Sequence, residues 1–387
     1  MGTERSIRTE KKRSRDVQAE LLRTLACFMV ILVHIRIQPV RAGVVLTTTV
    51  LVGCLLSSAV GLFFLVTGFF MYGEQRTWGK TARNFLLRIL LPTLLTVFFS
   101  LIFNDWILGQ CSAAECIKTA DYPAVLNAMA NGVLLFSSDY WGLLCAHLWY
   151  IAEYAKIILF FPAMAVLVKY AKEKILWYLA GLNLLYCCVI DLNRYFGQFR
   201  FLYAEPFLRV SQALVLFGFL IYLNKGKLRS SKMISAGLLA AYAASILWMF
   251  MLQSGQFAEE GGDWSGASYS VWLSGIGMLA AVLLAAFVLS LPENMKFFKW
   301  IEKPVLFFGS LSFPIYLIQY AVVMKLASLG VMDLFAAKTV SSGATICYYL
   351  IYGLLVFFLS AALVWCLRTV FALLQGLTCG LRQKLTK

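Results

Sequence analysis

The sequence predicts an all-α, polytopic integral membrane protein of about ten transmembrane helices with both termini in the cytoplasm. Three observations carry this. Of 387 residues, 61% are hydrophobic and 14% charged, well below the charged quarter of an average soluble domain. The apolar residues fall into ten blocks of membrane-crossing length, centred on 20–38, 48–72, 85–108, 147–168, 175–190, 206–223, 233–252, 268–291, 304–327 and 343–366. The cations then alternate between connections. Residues 1–20, 73–84, 169–174, 224–232, 292–303 and 367–387 hold 23 of the 34 Lys and Arg, whereas 38–47, 110–146, 191–205, 253–267 and 328–342 hold five against nine acids. Cytoplasmic loops are the basic ones, and ten spans return the chain to the side on which it began.

Helix is the spanning form because backbone groups in hydrocarbon must pair within the segment, and these runs are far longer than barrel strands. The first block follows the basic segment "RSIRTEKKRSR". Its apolar run is too long for a signal peptide, no small-residue cleavage site follows it, and more spans come soon after, so it reads as an uncleaved helix. Residues 1–19 form a basic cytoplasmic N-terminus, 20–366 the transmembrane domain and 367–387 a basic tail resting on the inner leaflet. The longest outer excursion, 110–146, contains the moderately apolar stretch 125–144, which suits an amphipathic helix on or in the outer surface. No solenoid repeat or low-complexity linker separates a soluble domain, so chemistry falls to the spans and their short loops. The net charge of +15 reflects the cytoplasmic side and implies no nucleic-acid partner; membrane lipid is the implied surroundings, in the plasma or inner membrane. The ten cysteines carry no metal signature, and no metal is expected. Cys27, Cys54, Cys187, Cys188 and Cys347 lie in spans, where small apolar packing is their role. Cys111, Cys116 and Cys145 lie in the long outer loop, where an oxidising compartment permits a disulfide that spacing does not assign.

In "ELLRTLACFMVILVHIRI", residues 20–37, Arg23 and His34 stand eleven residues apart. Eleven steps of 100° make three turns plus about 20°, so both project from one helix face, roughly 16 Å apart along the axis. Arg23 snorkelling to the inner headgroups and His34 resting in the outer interface is one account. A site is the other, since intramembrane ionisable groups mark function and the chain has two histidines in all. The second, His147, opens "HLWYIAEYAKIILFFP" at the outer end of the fourth span. It is either part of an aromatic belt or a partner of His34 in a shared cavity, and imidazole transfers protons near neutral pH. Glu153 and Lys156, three apart in that helix, read as a mutually satisfied pair or as an acceptor contact. Glu205 and Arg209, four apart, carry the same two readings. At the inner side "GKTARNFLLRILLP" places Lys80, Arg83 and Arg88 at the mouth of the third span, either as an ordinary basic loop or as forks for phosphate.

Together, the Arg-x10-His first helix, "FFLVTGFFM" (63–71), "RNFLLRILLP" (83–92), "HLWYIAEYAKIILFFP" (147–162) and "FGSLSFPIYLIQ" (308–319) resemble, in order and over nearly the whole chain, the membrane-bound acyltransferase 3 family. That resemblance implies passage of an acyl group, commonly acetyl from acetyl-CoA as donor substrate, to a hydroxyl of an extracytoplasmic glycan or glycolipid. It implies catalytic roles for Arg23, His34 and His147, with His34 as general base or transient acyl carrier. Donor contacts fall to Arg83 and Arg88, with Lys80 beside them; Glu153, Lys156, Glu205, Arg209 and Gln319 are acceptor-side candidates. The chain departs from the family pattern twice. Gln319 stands where members often carry histidine, and Glu153 and Lys156 where apolar or small residues are usual. The competing reading is a membrane carrier or exporter of a glycan or lipid-linked sugar, which inverted repeats or paired broken helices would mark; a non-catalytic sensor or scaffold is a third.

Overall fold

The computed structural model describes residues 15–35, 44–72, 77–196, 208–259, 274–336 and 341–385. The chain is helical, with no strand among the described residues. Among the described residues eight helical segments are long and apolar enough to cross a membrane, Val50–Met71 being one of them, and two shorter apolar helices, Val210–Leu223 and Gly275–Ser290, stand at the sixth and eighth sequence blocks. The protein is therefore a multi-pass membrane protein.

Helix α1 (Val17–His34) starts at Asp16, whose side chain accepts from the backbone N–H of Gln18 and Ala19, an ordinary N-cap. The block expected as one span over 48–72 divides into α2 (Val44–Leu56) and α3 (Ser58–Met71) at Ser57; adjacent serines there offer the polar side chains at which helices bend. The third span begins as α4 (Trp78–Phe85), widens into a π turn at Leu86–Leu90 and continues as α5 (Leu91–Ile102). Pro92 has no N–H for the Arg88 carbonyl, which accounts for the disturbed ladder.

The long excursion contains α6 (Asn104–Ile107), α7 (Ala113–Thr119) and α8 (Tyr122–Leu134), then two 3-10 turns, Ser138–Trp141 and Leu143–Leu148, that deliver the chain into α9 (Trp149–Tyr170). The helix expected across 125–144 thus stops at Leu134. Phe136 takes a positive φ of 49°, a left-handed conformation that bulky side chains disfavour. Then follow α10 (Glu173–Phe196), α11 (Val210–Leu223), α12 (Lys225–Leu228), α13 (Lys232–Glu259), α14 (Gly275–Ser290), α15 (Lys296–Ser328), α16 (Val331–Ala336) and α17 (Ser342–Leu385). Helix α17 runs through 366/367 without a break, so the boundary drawn there marks a change of composition and not of secondary structure.

The two short apolar helices are largely buried. Helix α11 buries Ser211, Ala213 to Gly218, Leu220 and Ile221, and a helix walled by protein does not need to match the hydrocarbon thickness. It crosses α3 backbone to backbone. A Cβ on Gly68 would stand 2.0 Å from the Val215 carbonyl oxygen, and one on Gly218 2.0 Å from that of Leu65. Small residues of this kind drive helix association in membranes through close packing. Around this seam, α1 lies between α3 and α15, and α15 also packs on α17.

At the α1 start a polar clasp closes the bundle. Lys225 Nζ reaches Asp16 Oδ2 at 3.0 Å and Glu293 at 3.5 Å, Arg229 reaches Glu293 at 2.8 Å, and the Tyr222 hydroxyl donates to Asp16 at 2.8 Å. Gln18 donates to the carbonyls of Val288 and Leu291 and accepts from Arg229.

Candidate active site

The last turn of α1, the 3-10 turn before α9 and the second half of α15 meet at one end of the bundle. There the rings of His34 and His147 lie 5.5 Å apart, edge to face. Tyr320 completes a triangle, 5.3 Å from each. His147 is buried, with Nε2 3.2 Å from the Tyr316 carbonyl, and the Tyr316 hydroxyl donates back to the His147 carbonyl. This reciprocal pair ties the 3-10 turn to α15 and orients the His147 ring. His34 is half-buried and its Nδ1 lies 2.8 Å from Gln319 Nε2. Gln319 is itself wholly buried, and its Oε1 has no hydrogen-bond partner. The two histidines are therefore in ring contact, and Gln319 is a direct partner of His34.

Arg23 stands three turns away on the same face of α1. Its Nη1 is 3.1 Å from both carboxylate oxygens of Glu20, a buried acid that Arg15 also approaches at 3.4 Å. Gly309 of α15 presses on this carboxylate, so that a Cβ there would lie 2.2 Å from Oε2. The Arg23 side chain is half-buried and tied to Glu20.

Between the two ends runs a column of rings. Phe85 of α4 meets Tyr154 at 5.9 Å, Tyr154 stacks on Tyr150 at 6.1 Å, Tyr150 meets Tyr316 at 5.8 Å, and Tyr316 meets His147 at 5.5 Å. Phe63 and Phe64 of α3 flank Tyr150. The i, i+4 spacing of Tyr150 with Tyr154, and of Tyr316 with Tyr320, puts each pair on one helix face. The helix that supplies Phe85 also carries Lys80 and Arg83, and its π turn carries Arg88. All three cations are exposed, and no described carboxylate pairs with them.

Glu153 and Lys156 form the expected pair at 2.6 Å, and Glu153 also binds Arg209 at 2.9 Å and the Ser211 hydroxyl at 3.2 Å. Glu205, expected beside Arg209, lies outside the described residues. The Glu153 cluster borders a cavity of about 200 Å³ walled by Phe136, Ser137, Asp139 and Trp149. Trp149, Glu153 and Lys156 share one face of α9, next to the face that carries Tyr150 and Tyr154. The cavity and the ring column thus adjoin neighbouring faces of one helix, roughly 110° apart.

Sequence reasoning did not find Glu20, Tyr316, Tyr320, Tyr150, Tyr154 or Phe85. Glu20 was visible as the i−3 neighbour of Arg23, and the tyrosines as i, i+4 pairs within the motifs.

The described residues thus form a helical bundle with a histidine pair at one end of an aromatic column, and the helix at the column's other end carries three exposed cations. The acyltransferase 3 family model, described as an acyltransferase domain, matches residues 16–365, and the chain belongs to that family: it is a membrane acyltransferase of that general kind. No curated protein and no solved structure matches the chain.

Proposed function

We propose that the protein moves an acetyl group from cytoplasmic acetyl-CoA to a hydroxyl of an extracytoplasmic carbohydrate or glycolipid. The observation that carries this is the ring column from Phe85 on the basic helix to the histidine pair. A nucleotide too charged to enter hydrocarbon anchors its phosphates on Arg83, Arg88 and Lys80, where no carboxylate among the described residues competes for the guanidinium forks. Its uncharged arm lies along the column, and the thioester arrives beside the half-buried His34 ring at the column's end.

His34 acts as general base. It takes the acceptor hydroxyl proton as the oxygen bonds to the thioester carbon, then gives that proton to the departing thiolate as the C–S bond breaks. The role needs a lone pair on Nε2 and a hydrogen on Nδ1, the tautomer favoured when the Gln319 amide turns its oxygen toward Nδ1; which end of an amide faces a partner is set by the hydrogen-bond network. His147, held by Tyr316, supports the site as a fixed neutral neighbour. Arg23, braced by Glu20, faces the middle of the column and holds the arm. The cavity beside Trp149, Glu153 and Lys156 has room for six or seven waters at ~30 Å³ each, the scale of one sugar ring, and Arg209 pairs with the Glu153 that borders it.

Reconstituted protein with labelled acetyl-CoA and candidate glycans tests the reading. Transfer should depend on His34 and Arg23. Undiminished transfer by a well-folded His34→Ala protein would reject the assigned base, and no transfer to any carbohydrate by the wild type, with transfer to another class of hydroxyl, would reject the acceptor.

A further inference from the structure

The excursion between α5 and α8 carries two cysteines that the acyl-transfer reading does not use. Ser112 caps α7, its side chain accepting from the Glu115 N–H. That cap fixes the geometry on either side of it. Cys111 is the residue before the cap and Cys116 the fourth residue of the helix, the two positions that a hydrophobic staple brings together across a helix start. Their Sγ atoms lie 2.6 Å apart, so a bond of ~2.05 Å requires less than an ångström of movement. Cys145, the third cysteine of this region, is fully buried in the main core, within the same 3-10 turn as His147.

We propose that Cys111 and Cys116 form a disulfide that staples the start of α7. Helix α7 has seven residues, too few to hold itself in water, and the bond would supply what propensity does not. The Cys111 thiol is pushed up to about 11, first by its hydrogen bond with Cys116. The bond forms by exchange with an external protein disulfide: one thiol loses its proton and attacks, the second displaces the mixed disulfide, and the donor leaves as two thiols carrying the two electrons and two protons. Such donors act outside the cytoplasm, the side that the charge distribution assigns to this loop. The staple would also steady the end of α15. The preceding segment lies against it, with Lys325 Nζ donating to the Trp106 carbonyl at 2.7 Å and standing 4.6 Å over its indole ring, one turn beyond Gln319 and Tyr320.

The test traps thiols in native membranes with acid, blocks free cysteines with one alkylating reagent under denaturing conditions, reduces, and labels the remainder with a second. Peptide mass analysis should find the second label on both Cys111 and Cys116 and the first on Cys145. In Cys111→Ser, Cys116 should change to the first label. First label on Cys111 and Cys116 of the wild type, or a Cys116 that stays protected in Cys111→Ser, overturns the pairing. Acyl transfer is not the readout, so the result stands whatever the donor and acceptor prove to be.

Discussion

Replacing Gly309 by alanine puts one methyl group where α15 lies against Glu20. On the present backbone that methyl would stand 2.2 Å from Oε2, 3.1 Å from Cβ and 3.2 Å from Cδ of Glu20. Carbon atoms rest at about 3.5–4.0 Å, so the carboxylate must retreat by more than ~1 Å. It is buried and held from two sides, and Arg23, now bonded to both of its oxygens, must follow or lose one contact. Overpacking costs about 1–3 kcal/mol, and misplacing a positioning group by ~1 Å costs about 10²-fold in rate. Gly309→Ala should therefore lower the melting temperature in detergent and reduce kcat/KM for acyl transfer roughly 10- to 100-fold. Glu20→Gln, which keeps the shape but removes the charge, should impair transfer with a smaller change in melting. Wild-type transfer by a folded Gly309→Ala protein would show that Arg23 does not depend on this brace.

Three further outcomes are expected. The double variant Arg83→Ala/Arg88→Ala should raise KM for acetyl-CoA at least 10-fold, leave kcat for bound donor close to wild type, and lose most of the wild type's salt sensitivity, since exposed phosphate contacts are screened; an unchanged KM would move the donor elsewhere. Gln319→Leu removes the partner of His34 Nδ1 and should cut kcat about 10- to 100-fold, whereas Gln319→Glu, which accepts from Nδ1–H, should retain more activity and shift the pH profile to higher pH; equal activity in the two would refute the positioning role. Burial pushes the Asp16 carboxyl up, but the Lys225 charge and the hydrogen bonds from Lys225, Tyr222 and Ala19 outweigh it and hold it below its usual range. A depressed folded pKa gives stability that is present above the unfolded value of ~3.9 and lost as pH falls through the folded one. Asp16→Asn keeps a good N-cap, so it should be less stable than wild type by roughly 1–2 kcal/mol from pH 5 to 8, with the gap closing below about pH 4; a gap that persists in acid would place the loss in packing.

The spans were legible because hydrocarbon imposes a length and a composition that a short window reveals. Each of the ten apolar blocks contains a helix among the described residues, though two of these are short enough that length alone would pass over them. What lay within a turn or two was also readable: Glu153 with Lys156, and the shared face of Arg23 and His34. Links across the bundle were not. Arg209 meets Glu153 from 56 residues away, Gln319 meets His34 from 285, and Lys225 meets Asp16 from 209; such pairings depend on which helices become neighbours, and apolar blocks all look alike to a periodicity argument. The break at Ser57 and the end of α8 at Leu134 were hidden for a related reason, since the chain stays apolar through both. Gln319 shows a different limit. Its type suggested a contact with substrate, and its place in the fold made it the companion of a histidine.

The interlocked glycines of α3 and α11 bear on how two compartments can be served at all. Sliding either helix by one turn, ~5.4 Å, would bring Phe64 or Tyr72 onto the Val215 carbonyl that Gly68 alone leaves room for. The α3–α11 seam is thus fixed in one register, and any rearrangement that needs these two helices to slide past one another by a turn is blocked by backbone contact.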